Sequence, residues 1–174
     1  MTISVGDKIP SVNLNIMTGN GSGAISTDEI FAGKTVAIFG LPGAFTRTCS
    51  AKHLPGFVQN ADALKEKGID TIVCVAVNDV FVMDAWAKDQ EVGDRVMMAA
   101  DGSAAFTKAV GLESDMSAKG FGIRCQRFSM GVEDGTLKSL NIDAPGTYEN
   151  TSAEMMLGTL RGRPCGHRRT VIRA

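Results

Sequence analysis

Apolar runs and helix-spaced segments alternate along this chain. Residues Thr35–Gly40 and 71–77 are near-continuous apolar runs, the pattern of strands covered on both faces. Residues 95–100 read as a third strand, followed by the turn Asp101-Gly102-Ser103. Residues 126–132 and 137–142 flank Glu133-Asp134-Gly135-Thr136, which is a hairpin signal. The helical patterns fall between these runs. Ile25 to Phe31 forms a short helical turn with Ser26 or Thr27 as its cap. Phe57, Ala61 and Leu64 recur at helical spacing, and Gly68 closes that helix. Pro55 interrupts its start: either the helix kinks there, or a new one begins with Pro55 in its first turn. Asn78-Asp79 can cap a helix over 80–88 that contains Trp86. Residues 104–110 make a short helix stopped by Gly111, and 152–160 a last one with Thr151 or Ser152 as cap. Residues 1–23 are polar and short of periodicity, with 18–23 as a loop or hairpin tip.

The alternation of strands and helices, ending in a hairpin and a helix, predicts an α/β sandwich with a mixed sheet. A chain of 174 residues is most simply one domain. The division expected is a folded domain over 1–160 and a basic, flexible tail over 161–174. Charge adds a detail. The tail carries five arginines and no acid, which leaves 13 basic against 19 acidic residues in the body, a net of −6. Neither sign dominates the whole chain, so charge argues for no nucleic-acid or membrane partner. No apolar run reaches the roughly 20 residues that span a bilayer. The N-terminus lacks the basic start and apolar centre of a signal peptide and is not arginine-rich, so a cytoplasmic protein is expected. Its four cysteines, Cys49, Cys74, Cys125 and Cys165, have neither CxxC pairing nor metal-ligand spacing. A zinc site would need long-range assembly with His53 or His167.

The candidate chemistry lies between the first apolar strand and the helix after it, in Pro42-Gly43-Ala44-Phe45-Thr46-Arg47-Thr48-Cys49. Cys49 falls just after a strand-to-helix turn. Free backbone N–H groups and the helix dipole there favour an anion, and thus the reactive thiolate. Thr46, three residues earlier, can face the sulfur across one turn, and Pro42-Gly43 gives a tight, rigid approach. A buried structural cysteine is the competing reading. His53, one turn later, reads either as a polarising neighbour or, preferably, as a capping or packing residue.

Pro42-x-x-x-Thr46-x-x-Cys49, continued by His53-Leu54-Pro55-Gly56-Phe57, Val77-Asn78-Asp79 and Arg124-Cys125-Gln126-Arg127-Phe128-Ser129, resembles the type II peroxiredoxins. The similarity runs to about Leu160. One position departs: the family usually has proline where this chain has Arg47. The resemblance implies a thioredoxin-like fold, a mixed central sheet with helices on both faces. It also implies a thiol peroxidase acting on hydrogen peroxide and alkyl hydroperoxides, without metal, haem or flavin. It makes Cys49 the attacking thiol, oxidised to a sulfenic acid, with Thr46, Arg127 and Pro42 around it; Pro42 would shield the thiolate. Arg124 is the nearest rival to Arg127, and on a strand two positions three apart face opposite sides. A homodimer is implied as well.

Recycling is less decided. Some relatives carry a second cysteine before the last helix, and residues 146–152 here contain none. Cys74 matches the second cysteine of plant-like members but also reads as a core residue. The expected reductant is therefore external, glutathione with glutaredoxin or thioredoxin. Two other readings compete: a disulfide oxidoreductase, disfavoured because Lys52 stands where a CxxC partner would be, and a non-catalytic chaperone or interaction module.

Overall fold

The computed structural model describes residues 1–160, arranged around a seven-stranded mixed sheet. Strands β1 (Asn13–Thr18) and β2 (Gly21–Ser26) pair as an antiparallel hairpin. The turn expected near 18–23 is there, but it joins two strands that the polar composition concealed. Ser26 caps α1 (Thr27–Phe31) in a reciprocal box: its hydroxyl accepts from Glu29 N, and the Glu29 carboxylate accepts from Ser26 N at 2.9 Å. Strand β3 (Thr35–Gly40) has the predicted bounds. One turn of π-helix, Cys49–His53, runs directly into α2 (Leu54–Gln59), where Pro55 occupies the first turn. Helix α3 (Ala61–Glu66) follows after a break at Asn60.

Next come β4 (Thr71–Ala76), α4 (Val80–Asp89), β5 (Met97–Ala100) and α5 (Ala105–Ala109). The Asp79 carboxylate caps α4 by accepting from Phe81 N and Val82 N. Two three-residue strands, β6 (Glu113–Asp115) and β7 (Ile123–Cys125), form a small separate sheet. The predicted hairpin is β8 (Phe128–Glu133) with β9 (Thr136–Ile142), and α6 (Ala153–Thr159) closes the described chain. The tail over 161–174, with Cys165 and His167, lies outside the described residues.

The strand order is β2-β1-β5-β4-β3-β8-β9. Strands β5, β4 and β3 run parallel, with antiparallel pairs on both flanks. Side chains alternate across the sheet. Ala37, Phe39 and Cys74 face a core shared with Leu54, Phe57, Leu64 and Trp86. Val36, Ile38, Val73 and Val75 face a second core with Ile30, Phe31 and Phe106. Helices therefore cover both faces, which is the thioredoxin-like arrangement. Each of these large side chains stabilises the fold by roughly 1.5–3 kcal/mol through burial.

One end of the sheet is built for a site. Gly40, the last residue of β3, pairs with Val75 near the end of β4 and with Phe128 at the start of β8. Phe128 also pairs with Ile142, the last residue of β9. The segments beyond these ends, 41–53, 126–127 and 143–151, thus converge. Gly40 is required for that register, because a Cβ there would lie 2.0 Å from the Phe128 ring.

Candidate active site

The turn after β3 is fixed by hydrogen bonds. Leu41 N donates to Val75 O at 3.3 Å and Ala44 N to Asn78 Oδ1 at 3.0 Å, tying the turn to the end of β4. Phe45 sits in the left-handed region at φ +60, a conformation that costs a bulky residue about 1–3 kcal/mol. Ser50 N donates to Thr46 O at 3.0 Å, so the helix opens at Thr46 and Cys49 lies in its first turn. The π-turn then closes with Leu54 N on Cys49 O. Such single turns are frequent at functional sites.

Cys49 is 1% exposed. Arg127 Nη2 donates to its sulfur at 3.5 Å, while Nη1 of the same guanidinium lies 2.9 Å from His53 Nδ1. His53 Nε2 lies 3.1 Å from the carbonyl of Thr151. A carbonyl only accepts, which puts the imidazole proton on Nε2 and leaves Nδ1 as a lone pair for Arg127. The ring is therefore neutral. Burial, then the adjacent Arg127 charge, lower its pKa to about 3. The Asp143 carboxylate accepts from Glu149 N, Asn150 N and Thr151 Oγ1. Burial works against its charge, but these bonds outweigh it and hold its pKa below the ordinary value. Asp143 N in turn donates to Arg127 O at 3.0 Å. Arg127, His53, Thr151 and Asp143 thus form a closed ring. Tyr148 covers it, with its ring 5.2 Å from His53 and 5.7 Å from the Arg127 guanidinium.

Thr46 Oγ1 donates to Gly43 O at 2.7 Å, which commits its proton and leaves its oxygen free to accept. Pro42, Thr46 and Arg127 line one pocket of about 200 Å³. The four residues read from the sequence are thus together: Pro42, Thr46 and Arg127 at the pocket, Cys49 beneath the guanidinium.

Contrary to expectation, the two arginines do not share a strand. Arg127 is not on a strand; residues 126–127 link β7 to β8, which belong to different sheets. Arg124, on β7, also approaches the turn. Its guanidinium is spent on the carbonyls of Val77 (Nη1, 3.1 Å) and Phe121 (Nε, 2.8 Å). His53 is corrected too, being both packed and bonded to the pocket arginine. Asp143, Tyr148 and Thr151 carry no local sequence signal, since each meets residues far away in the chain. Cys74 shares the core of Cys49 but has no exposure, whereas Cys125 faces the other core. Burial, then neighbouring Cys49 and Cys125, push the Cys74 thiol pKa well up.

Residues 4–157 match the Redoxin family. The chain is 45% identical over 164 residues to Peroxiredoxin-2E, chloroplastic, of Arabidopsis thaliana, covering 91% of this chain and 70% of that one. It is 42% identical to Peroxiredoxin-2B of the same plant, covering 91% and 98%. A crystal structure of reduced Prx3 from Vibrio vulnificus in complex with H2O2 superposes with a TM-score of 0.89 at 44% identity, covering 92% and 100%. These comparisons overturn the cytoplasmic expectation: similar peroxiredoxins from Arabidopsis thaliana and Oryza sativa subsp. japonica are chloroplastic. Among the described residues, no helix is long and apolar enough to cross a membrane. With the matching sequence, fold and relatives in view, the chain belongs to the redoxin family as a type II peroxiredoxin, a thiol-dependent peroxidase of antioxidant defence.

Proposed function

We propose that Cys49 attacks the peroxide, with Thr46, Arg127 and Pro42 arranged around the reacting atoms. The observation that carries this reading is the Arg127 guanidinium, one nitrogen 3.5 Å from the Cys49 sulfur and the other held by neutral His53. The thiolate attacks the terminal, hydrogen-bearing oxygen; a sulfur–oxygen bond forms to it, the O–O bond breaks, and the other oxygen departs as hydroxide or alkoxide. Charge moves from sulfur toward that oxygen. A planar donor already fixed at the sulfur can follow it without reorganisation. The Thr46 oxygen accepts the hydrogen of a hydroperoxide and so sets which oxygen faces the sulfur. Pro42 shields the thiolate with a rigid ring that offers no N–H. His53 is a positioning residue: it acts through Arg127.

The sulfenic acid on Cys49 is returned to thiol by an external reductant, glutathione with glutaredoxin or thioredoxin. Burial of Cys74 and the absence of cysteine from 146–152 support this. Exposed Phe45, Phe81 and Phe121 support a homodimer, which sedimentation at low and high concentration resolves.

Arg127→Lys keeps the charge but loses the fork. It should lower the peroxide rate about a hundredfold, the scale of one fixed donor at a developing charge. Arg124→Lys should cost far less. Equal losses in stopped-flow oxidation of the two variants would contradict the assignment.

A further inference from the structure

The pocket lined by Pro42, Thr46 and Arg127, whose guanidinium bonds the Cys49 sulfur, holds more than the peroxide reaction uses. A water's share of liquid volume is about 30 Å³, and hydrogen peroxide needs about two such shares. The pocket offers about 200 Å³ and shares Pro42, Met116 and Arg127 with an adjoining cleft of about 490 Å³. Its wall is partly apolar, through Met116 and Phe121, and partly polar, through Thr48 and Arg47. No acidic side chain lines this smaller pocket, although Asp115 and Asp143 line the adjoining cleft. Arg127 is already engaged by Cys49 and His53. Arg47 is exposed, and among the described residues it makes neither a hydrogen bond nor an ion pair. A guanidinium in the first turn of a helix also opposes the helix dipole. The fold therefore gains nothing evident from a cation here, and a ligand with an anionic group could.

We infer that the pocket lined by Arg47 and Arg127 recognises a small carboxylate-bearing thiol, with Arg47 receiving the carboxylate. The inference rests on the proposal that an external thiol reduces Cys49. In that step the thiolate sulfur of the co-substrate attacks the sulfenic sulfur of Cys49. A sulfur–sulfur bond forms and the sulfur–oxygen bond breaks. Hydroxide leaves and, with the proton given up by the thiol, becomes water. Cys49 sulfur is reduced and the co-substrate's sulfur oxidised; a second thiol then displaces Cys49 from the mixed disulfide. Arg47 holds a distant charged group of the molecule, which fixes the direction from which its sulfur arrives. Guanidinium suits this use, since its fork matches a carboxylate.

The test uses the whole chain, oxidised by one equivalent of hydrogen peroxide, as wild type, Arg47→Lys and Arg47→Glu. Rates of mixed-disulfide formation are measured with glutathione and with its diethyl ester, corrected for thiolate fraction. Wild type should prefer the free acid by roughly three- to tenfold at low ionic strength, and added salt should erode the preference. Arg47→Lys should retain most of it and Arg47→Glu should abolish it. If both thiols react but the ratio is the same in wild type and Arg47→Glu, this inference is wrong and the external-thiol reading stands. If neither thiol reacts with wild type, this inference is wrong; the external-thiol reading falls with it if reduced thioredoxin also leaves Cys49 oxidised, and stands if thioredoxin reduces it. A carboxylated hydroperoxide presents the same chemistry, so oxidation of the reduced variants by a fatty-acid hydroperoxide and by its methyl ester forms a second arm. Charge dependence confined to that arm would assign Arg47 to the peroxide and overturn the assignment to the thiol.

Discussion

Cys49 and Cys74 share one apolar core, and burial hardly separates them: one is 1% exposed, the other not at all. Their surroundings differ in kind. Cys74 lies inside β4, between Phe39 of β3 and Met98 of β5 in the sheet register. Its backbone is used by the sheet, and burial raises the cost of its thiolate. Cys49 lies beyond the sheet, in the first turn of a helix, with a guanidinium on its sulfur. If Cys49 is the attacking thiol, as proposed, low exposure does not decide reactivity here; fixed donors facing the sulfur do, and the ends of strands leave room for them.

The largest expected effect tests that contrast directly. Cys49→Ser should lower peroxide consumption by more than about a thousandfold, because the proposed nucleophile is gone. Cys74→Ser should leave the first oxidation of Cys49 close to wild type. A comparable loss from Cys74→Ser, with folding intact by circular dichroism, would make the two thiols one unit.

A smaller effect tests the support behind the arginine. His53→Asn should slow oxidation of Cys49 roughly ten- to a hundredfold by letting the guanidinium drift. It should also change the pH dependence of stability. His53 has a folded pKa of about 3 against an ordinary 6.5, so between these values the unfolded chain binds more protons than the folded one. Stability from the neutral ring is then complete above about pH 6.5 and is lost as pH falls toward 3. Urea midpoints at pH 7 and pH 5 should differ more for wild type than for His53→Asn. Asp143 does not confound that window, since its lowered pKa places its own loss at lower pH. Identical pH dependence in both proteins would rule out a buried neutral His53.

The sequence made the centre of the sheet legible and its periphery much less so. Strands β3 and β4 are apolar runs bounded by turn residues, and Asp79 and Ser152 are caps whose side chains do what their type predicts. Strand β2 reads Gly-Ser-Gly-Ala-Ile-Ser, which has little intrinsic strand preference and pairs because β1 lies beside it. Strands β6 and β7 are too short for any period to show. Of the proposed site, Cys49 and Thr46 stand out in the sequence because one turn holds both. Arg127 enters the proposed site only through resemblance; alone, an arginine before a strand reads as a surface charge. The ring of His53, Thr151 and Asp143 joins residues as far as 98 positions apart, and such closure is a property of the fold.

The most direct measurement is a peptide map of the singly oxidised protein. Reduced protein receives one equivalent of hydrogen peroxide, free thiols are blocked, and masses are read without reduction. The account predicts a sulfenic acid on Cys49, or a glutathione adduct when glutathione is present, with Cys74 recovered as a free thiol. Rapid and near-complete formation of a Cys49–Cys74 disulfide would contradict it.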